Sequence, residues 1–245
     1  MAATVAIRRT IAGMARTDAD ALPTGDEKRQ AVRSMFDAIA PRYDMVNRLM
    51  TFRMDVGWRR RTIESLHLVP GSTVLDLACG TGDLCRGLAE AGLAPVGMDL
   101  SFGMLAAART DAPLVHADAL ALPVPDGSVD GITCGFALRN FVELGPFFAE
   151  LSRVVRPGGR IALLEVAEPP NAVLRFGHGI YFGKVVPKIG GLLSDASAYQ
   201  YLPRSVAYLP PPEKMEADLG GQGFFRIERQ LLSTGIAQLI TATRT

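Results

Sequence analysis

Cysteine and histidine are scarce in this 245-residue chain, with three of each, and neither set has the spacing of a metal site. Cys79, Cys85 and Cys134 are odd in number, which excludes a disulfide framework and favours a reducing cytoplasm. Cys79 falls in a glycine loop and Cys134 in an apolar run, where both read as small residues against tight backbone. His67, His116 and His178 are scattered; His178 stands among glycines and is expected to face solvent. An excess of one charge is also missing. The 26 Lys and Arg against 25 Asp and Glu leave a net charge of +1, which argues against a general nucleic-acid binder. No apolar run approaches the length of a membrane span. The first thirty residues lack the continuous apolar segment of a secretory signal, so residues 1–24 are expected to be a flexible leader.

Apolar residues are plentiful, at 48%, enough for a substantial core. Behind the leader, Val32, Met35, Phe36 and Ile39 recur at helical spacing, and Pro41 ends or kinks that helix. A second helix is expected over Trp58–Leu66. Strands and helices then alternate: strand Thr73–Leu77, helix Asp83–Ala91, strand Pro95–Asp99, helix Phe102–Arg109, strands Leu114–His116 and Val129–Gly135, helix Leu144–Val155, strand Arg160–Val166. That order predicts an α/β fold, a doubly wound and mostly parallel sheet with helices on both faces. Residues 167–208 break the pattern and read as a lid insertion, residues 25–66 as an amino-terminal helical cap, and 25–245 as one domain. A helix Glu213–Leu219 and two strands joined near Ser233–Gly235 make an antiparallel last edge.

The segment VLDLACGTGDL, Val74–Leu84, has the shape of a nucleotide-binding loop, yet acids flank it. Asp76 precedes the turn and Asp83 opens the helix. Carboxylates there oppose a diphosphate, which helix N-termini otherwise attract. The third glycine of a dinucleotide fingerprint is replaced by Cys85. A ligand with an adenosine and nearby positive charge fits better: S-adenosylmethionine, with Gly80, Thr81 and Gly82 giving close backbone approach. In an open α/β sheet such a ligand lies across the carboxyl ends of the strands. Asp99 and Leu100 end the second strand, where the carboxylate can accept from two ribose hydroxyls. Asp118 and Ala119 follow the third, beside the adenine edge. Gly135 and Phe136 end the fourth, near the sulfonium, with Arg139 and Asn140 beyond.

With these residues the chain resembles class I S-adenosylmethionine-dependent methyltransferases. More narrowly, it is similar to the ubiquinone/menaquinone biosynthesis C-methyltransferases. The likeness runs from about Ser34 to Gly235 and is carried by MFDAIAPRYDMVNRLMT, VLDLACGTGDL, GFALRNF, RVVRPGGRIALLEVAEP and the lid segments VVPKIGGLLS and AYQYLPRS. The chain departs from the family pattern at Arg53 and Val56, at Gly135 where serine is usual, and in its last residues, GIAQLITATRT. The resemblance implies a seven-stranded sheet, S-adenosylmethionine as cofactor and C-methylation of a prenylated quinol, demethylmenaquinol above all. It implies Arg139 and Asn140 as catalytic groups and Asp76 among the cofactor-binding residues. Tyr43, Tyr181, Tyr199 and Tyr201 are then candidates to line the quinol pocket. The apolar lid implies transient contact with the inner face of the cell membrane. A methyltransferase for another phenolic acceptor and a non-catalytic adenosine-binding protein are the competing readings; oligomeric state stays open.

Overall fold

A computed structural model describes residues 24–181, 186, 201 and 204–245. Three helical pieces come first: α1 (Gly25–Ile39), a 3₁₀ turn (Ala40–Arg42) and α2 (Tyr43–Met50), then α3 (Met54–Glu64). Pro41 sits inside the 3₁₀ turn, the kink its ring demands. α3 begins four residues ahead of the expected Trp58, because Phe52 and Arg53 adopt φ of +50° and +63° and turn the chain there.

The alternating part follows: β1 (Thr73–Leu77), α4 (Asp83–Glu90), β2 (Ala94–Asp99), α5 (Phe102–Ala106), β3 (Leu114–His116) and β4 (Val129–Gly135). Beyond a 3₁₀ turn (Leu138–Asn140) come α6 (Leu144–Val154), β5 (Val155–Val166), α7 (Ala172–Ile180), α8 (Pro212–Gly221), β6 (Phe224–Leu232) and β7 (Ala237–Arg244). The seven strands form one sheet in the order β3-β2-β1-β4-β5-β7-β6. Pairings from β3 to β5 are parallel, and β7 is antiparallel to both β5 and β6. The doubly wound α/β expectation therefore holds, including its antiparallel edge.

Burial explains the layers. β1 and β4 are buried nearly end to end, as parallel strands covered on both faces require. On α6, Leu144, Phe147, Phe148, Leu151 and Val154 fall on one stripe and are all buried. Pro157-Gly158-Gly159 lies within β5, ahead of the expected strand start at Arg160. β5 already starts at Val155, which pairs with Val129, while Gly131 pairs with Arg160; the Pro-Gly-Gly stretch is a bulge between those pairs. Strand order reverses between β1 and β4, so the carboxyl ends of β1, β2 and β4 splay into a crevice.

Candidate functional site

Two strand tips at this crevice hold strained backbone. Ala78, just after β1, has φ +52°, and Phe136, just after β4, has φ +60°. Such non-glycine positions cost free energy and persist only where the surroundings enforce them. In the turn after β1, Gly82 has φ +83°, and a Cβ there would stand 2.7 Å from Thr110 Cγ2. Only glycine fits that turn.

A cavity of about 110 Å³ opens over these tips. Gly80, Asp99, Leu100, Asp118, Ala119 and Gly135 line it, as does Asn140. The Asp99 carboxylate accepts from the N–H of Gly80 and of Ser101, each at 2.8 Å. Burial raises its pKa, against the lowering effect of those two bonds. The carboxylate oxygens keep lone pairs for further donors.

Asp76, Thr81 and Gly82 lie outside this lining. Asp76 is fully buried beneath the loop, where its carboxylate accepts from Thr133 Oγ at 2.9 Å and from Cys85 Sγ at 3.4 Å. Burial pushes its pKa up to about 7. The Thr81 hydroxyl donates to Asp44 of α2 at 2.5 Å.

Much of the negative charge around the glycine loop is answered from within the chain. Arg48 of α2 and Arg59 of α3 reach Asp83 at 3.1 and 3.3 Å, and Arg86 pairs with it too. Arg29 of α1 pairs with Asp118 at 2.6 Å. Asp37 accepts from Ser101 Oγ at 2.6 Å and from Gly103 N–H at 2.8 Å. The helical cap is thus tied to the loops after β1, β2 and β3. Apart from Arg86 with Asp83, which are three residues apart on one helix, these pairs are not visible in the sequence, because no short-range spacing links their members.

The second cavity, about 540 Å³, is far larger and lies between the cap, α7 and the carboxyl end of β5. Met35, Ile39, Met50, Trp58, Val166 and Ile236 give it a mainly apolar wall. Phe36, Tyr43 and Phe136 line both cavities and form the waist between them. Burial pushes the Tyr43 hydroxyl above the ordinary tyrosine range, so it stays a donor at neutral pH. Tyr181 lines the large cavity and donates to Met50 O at 2.9 Å.

Arg139 also faces the large cavity, but it is a braced residue. It is 5% exposed; its Nη1 pairs with Glu165 and donates to Phe136 O at 2.8 Å, and its Nε donates to Ser205 Oγ at 3.2 Å. Of five guanidinium N–H groups, the two on Nη2 make no hydrogen bond among the described residues. Fully buried Glu165, which the sequence reading passed over, also accepts from the Arg139 N–H at 3.2 Å. Tyr201 lies outside both linings and donates to Asn140 Oδ1 at 3.3 Å. Burial lifts its pKa to about 12. Tyr199 falls outside the described residues. His178 is not the solvent-facing residue expected from its glycine neighbours; it is half-buried in the wall of the large cavity.

The arrangement joins a small polar pocket with acceptors for hydroxyls and an amine to a large apolar one, across an aromatic waist. Known proteins resemble the chain along most of its length. Residues 24–244 match the ubiE/COQ5 methyltransferase family. The demethylmenaquinone methyltransferase of Thermus thermophilus is 42% identical over 221 residues, 86% of this chain and all of that one. The ubiquinone/menaquinone biosynthesis C-methyltransferase UbiE of Geobacter sulfurreducens is 36% identical over 230 residues, covering 89% and 90% of the two chains. Among solved structures, a methyltransferase from Thermotoga maritima superposes with a TM-score of 0.60 at 14% identity, over 87% of this chain and 99% of that one. The Haemonchus contortus phosphoethanolamine N-methyltransferase 2, solved with S-adenosyl-L-methionine, has a TM-score of 0.57 at 16% identity, over 76% and 52%. At those identities the likeness is one of fold.

Proposed function

The chain belongs to the ubiE/COQ5 methyltransferase family, and we propose that it methylates a ring carbon of demethylmenaquinol, a prenylated quinol, in menaquinone biosynthesis. The observation that carries this reading is the large apolar cavity meeting the small polar one at Phe36, Tyr43 and Phe136. S-adenosylmethionine, when bound, supplies an electrophilic methyl group on a cationic sulfur. Asp99 takes the ribose hydroxyls with the lone pairs that Gly80 and Ser101 leave open. Leu100, Asp118 and Ala119 border the adenine, and Gly80 and Gly135 give the backbone its close approach, with Thr81 and Gly82 shaping the turn behind Gly80. Asp76 acts from below the loop, as a buried acid rather than as a direct contact.

A quinol carbon becomes nucleophilic when a ring hydroxyl ionises and its charge spreads into the ring. The Nη2 donors of Arg139, unpaired among the described residues, are suited to the developing oxyanion. Glu165 and Ser205 fix the guanidinium plane, and Asn140 with Tyr201 shapes the adjoining wall. Tyr43 contributes a hydrogen bond at the waist, and Tyr181 closes the cap side. The apolar walls exclude water from the pair of reactants.

The acceptor's tail dissolves in a bilayer, and the surface beside the large cavity suits one. Phe52, Val173 and Phe176 are 70%, 79% and 73% exposed, and Phe52 and Val173 also line the cavity. Arg53 and Arg175 are exposed beside them. No helix among the described residues is long and apolar enough to cross a membrane. This surface meets the membrane transiently, with the tail still in the bilayer.

Purified enzyme with labelled S-adenosylmethionine and short-tail demethylmenaquinol should place a methyl on a ring carbon only under reducing conditions. The oxidised quinone has no hydroxyl to ionise. Equal transfer to the oxidised form, methylation on oxygen, or faster turnover of an unprenylated phenol would overturn the reading.

A further inference from the structure

An ammonium is costly to bury, yet Lys28 of α1 is only 2% exposed. Its Nζ donates to Phe141 O at 2.6 Å and stands 3.6 Å from the centroid of the Tyr208 ring. Burial lowers its pKa to about 8, which leaves it charged at pH 7. Asn140, Phe141 and Val142 line the small cavity from the loop after β4, and Arg29, Val32, Arg33 and Phe36 line it from α1. Lys28 thus ties two walls of that cavity together. The anchor point is firm, because the Phe141 ring stacks at 4.2 Å on Phe147, a fully buried residue of α6. The next residue along α1 is Arg29, whose Nη2 pairs with Asp118 at 2.6 Å. The other Asp118 oxygen accepts from Leu120 N–H at 3.0 Å. Asp118 therefore holds a cation at the cavity wall as well as bordering the ligand.

We propose that Arg29 is a cofactor-binding residue, its guanidinium covering the adenine of S-adenosylmethionine from α1, with Lys28 and Asp118 as the residues that position it. Met98, Leu100 and Ala119, at and beyond the tips of β2 and β3, give the same cavity an apolar lining for the base. A guanidinium is planar and weakly hydrated and stacks on flat π systems, whereas an ammonium does not. The charge-assisted bond to Asp118 fixes the guanidinium and answers its charge, so a cationic ligand is not repelled. Lys28 fixes the helical turn that carries Arg29. An apolar side chain at 28 would fill the same space but could not donate to Phe141 O.

This assignment rests on the small cavity being the cofactor site, so calorimetry of the wild-type full chain with S-adenosylhomocysteine is done first. No binding would overturn both. Given binding, Arg29→Lys keeps the charge that faces Asp118 but loses the planar surface. It should weaken S-adenosylhomocysteine by about tenfold, as should Arg29→Ala. The probe 5′-methylthioadenosine has the adenine and ribose but no amino-acid end, and it should lose the same factor. A loss confined to S-adenosylhomocysteine would place Arg29 at the ligand's carboxylate and overturn the adenine assignment. Lys28→Met should weaken both ligands by about threefold or more, yet add less than about twofold to Arg29→Ala, the non-additivity of a residue that acts through another. Additive losses would remove Lys28 from the assignment. If substitution at the buried position 28 disturbs folding, the half-exposed Arg29 still decides the matter. Arg29→Lys that binds both ligands within about twofold of wild type would make the pair with Asp118 an anchor of α1 alone. That result would overturn the inference and leave the methyltransferase reading standing.

Discussion

Asp76 is fully buried, and this gives the free enzyme a pH dependence that a surface acid would not. Burial is the larger effect and raises its pKa to about 7; the bonds from Thr133 and Cys85 act in the opposite direction but do not cancel it. Between about pH 4, where an unfolded aspartate titrates, and pH 7, the folded chain binds more protons than the unfolded one. Stability from this group is therefore present at low pH and is lost as pH rises through that window. Three pH units correspond to about 4 kcal/mol. Asp76→Asn keeps a carbonyl oxygen for the Thr133 hydroxyl and removes the titration. Its melting temperature in the absence of cofactor should exceed that of the wild type by several degrees at pH 8, and the two should converge near pH 4. Parallel melting curves across that range would show that the carboxyl is not held protonated.

At the scale of elements, the cap made by α1, α2 and α3 is held over the crevice by polar pairs as much as by packing. Asp37 bridges α1 to the start of α5 through Ser101 and Gly103, and a Cβ on Gly103 would lie 2.9 Å from the Asp37 Cα. Backbone and carboxylate are therefore both closely fitted. Asp37→Ala leaves the Gly103 N–H and the Ser101 hydroxyl without their acceptor, a loss of about 1–3 kcal/mol. Hydrogen exchange in residues 25–50 should speed up by about tenfold for each 1.4 kcal/mol, with α6 unchanged. Uniform acceleration over the whole chain would mean that the cap unfolds only with the core.

The same elements show what sequence can and cannot reveal. Strand positions and the crevice were legible because hydrophobic periodicity and strand order are local signals with a general topological rule behind them. Gly80, Asp99, Asp118 and Gly135 converge for that reason. Arg139 was legible as a site residue, but its bracing by Glu165 was not, since the partners are 26 residues apart and meet only across β4 and β5. His178 was misread because neighbouring glycines suggest an exposed loop. Asn171 instead caps a helix there by accepting from Val173 and Leu174 N–H, and that helix carries the imidazole into the cavity wall.

Among the described residues, several exposed apolar side chains stand on the helices that border the large cavity. Met45 and Leu49 of α2, Phe52, Val56 of α3, and Val173, Phe176 and Ile180 of α7 are all exposed, whereas the sheet core is closed. Phe52 joins the two helical groups, its ring 5.7 Å from that of Tyr181. A bilayer would cover this surface and let the acceptor's tail enter the cavity without crossing water. Burying one phenylalanine contributes about 1.5–3 kcal/mol, so two side chains suffice to set reversible binding. Phe52→Ser with Phe176→Ser should therefore release the protein from anionic vesicles by at least tenfold, and high salt should weaken wild-type binding through Arg53 and Arg175. The double variant should turn over a long-tail acceptor in vesicles poorly, yet keep wild-type kcat on a short-tail acceptor in solution. Binding to vesicles that neither the substitutions nor salt change would place the membrane contact elsewhere. Equal loss on both acceptors would assign these side chains to the cavity wall alone.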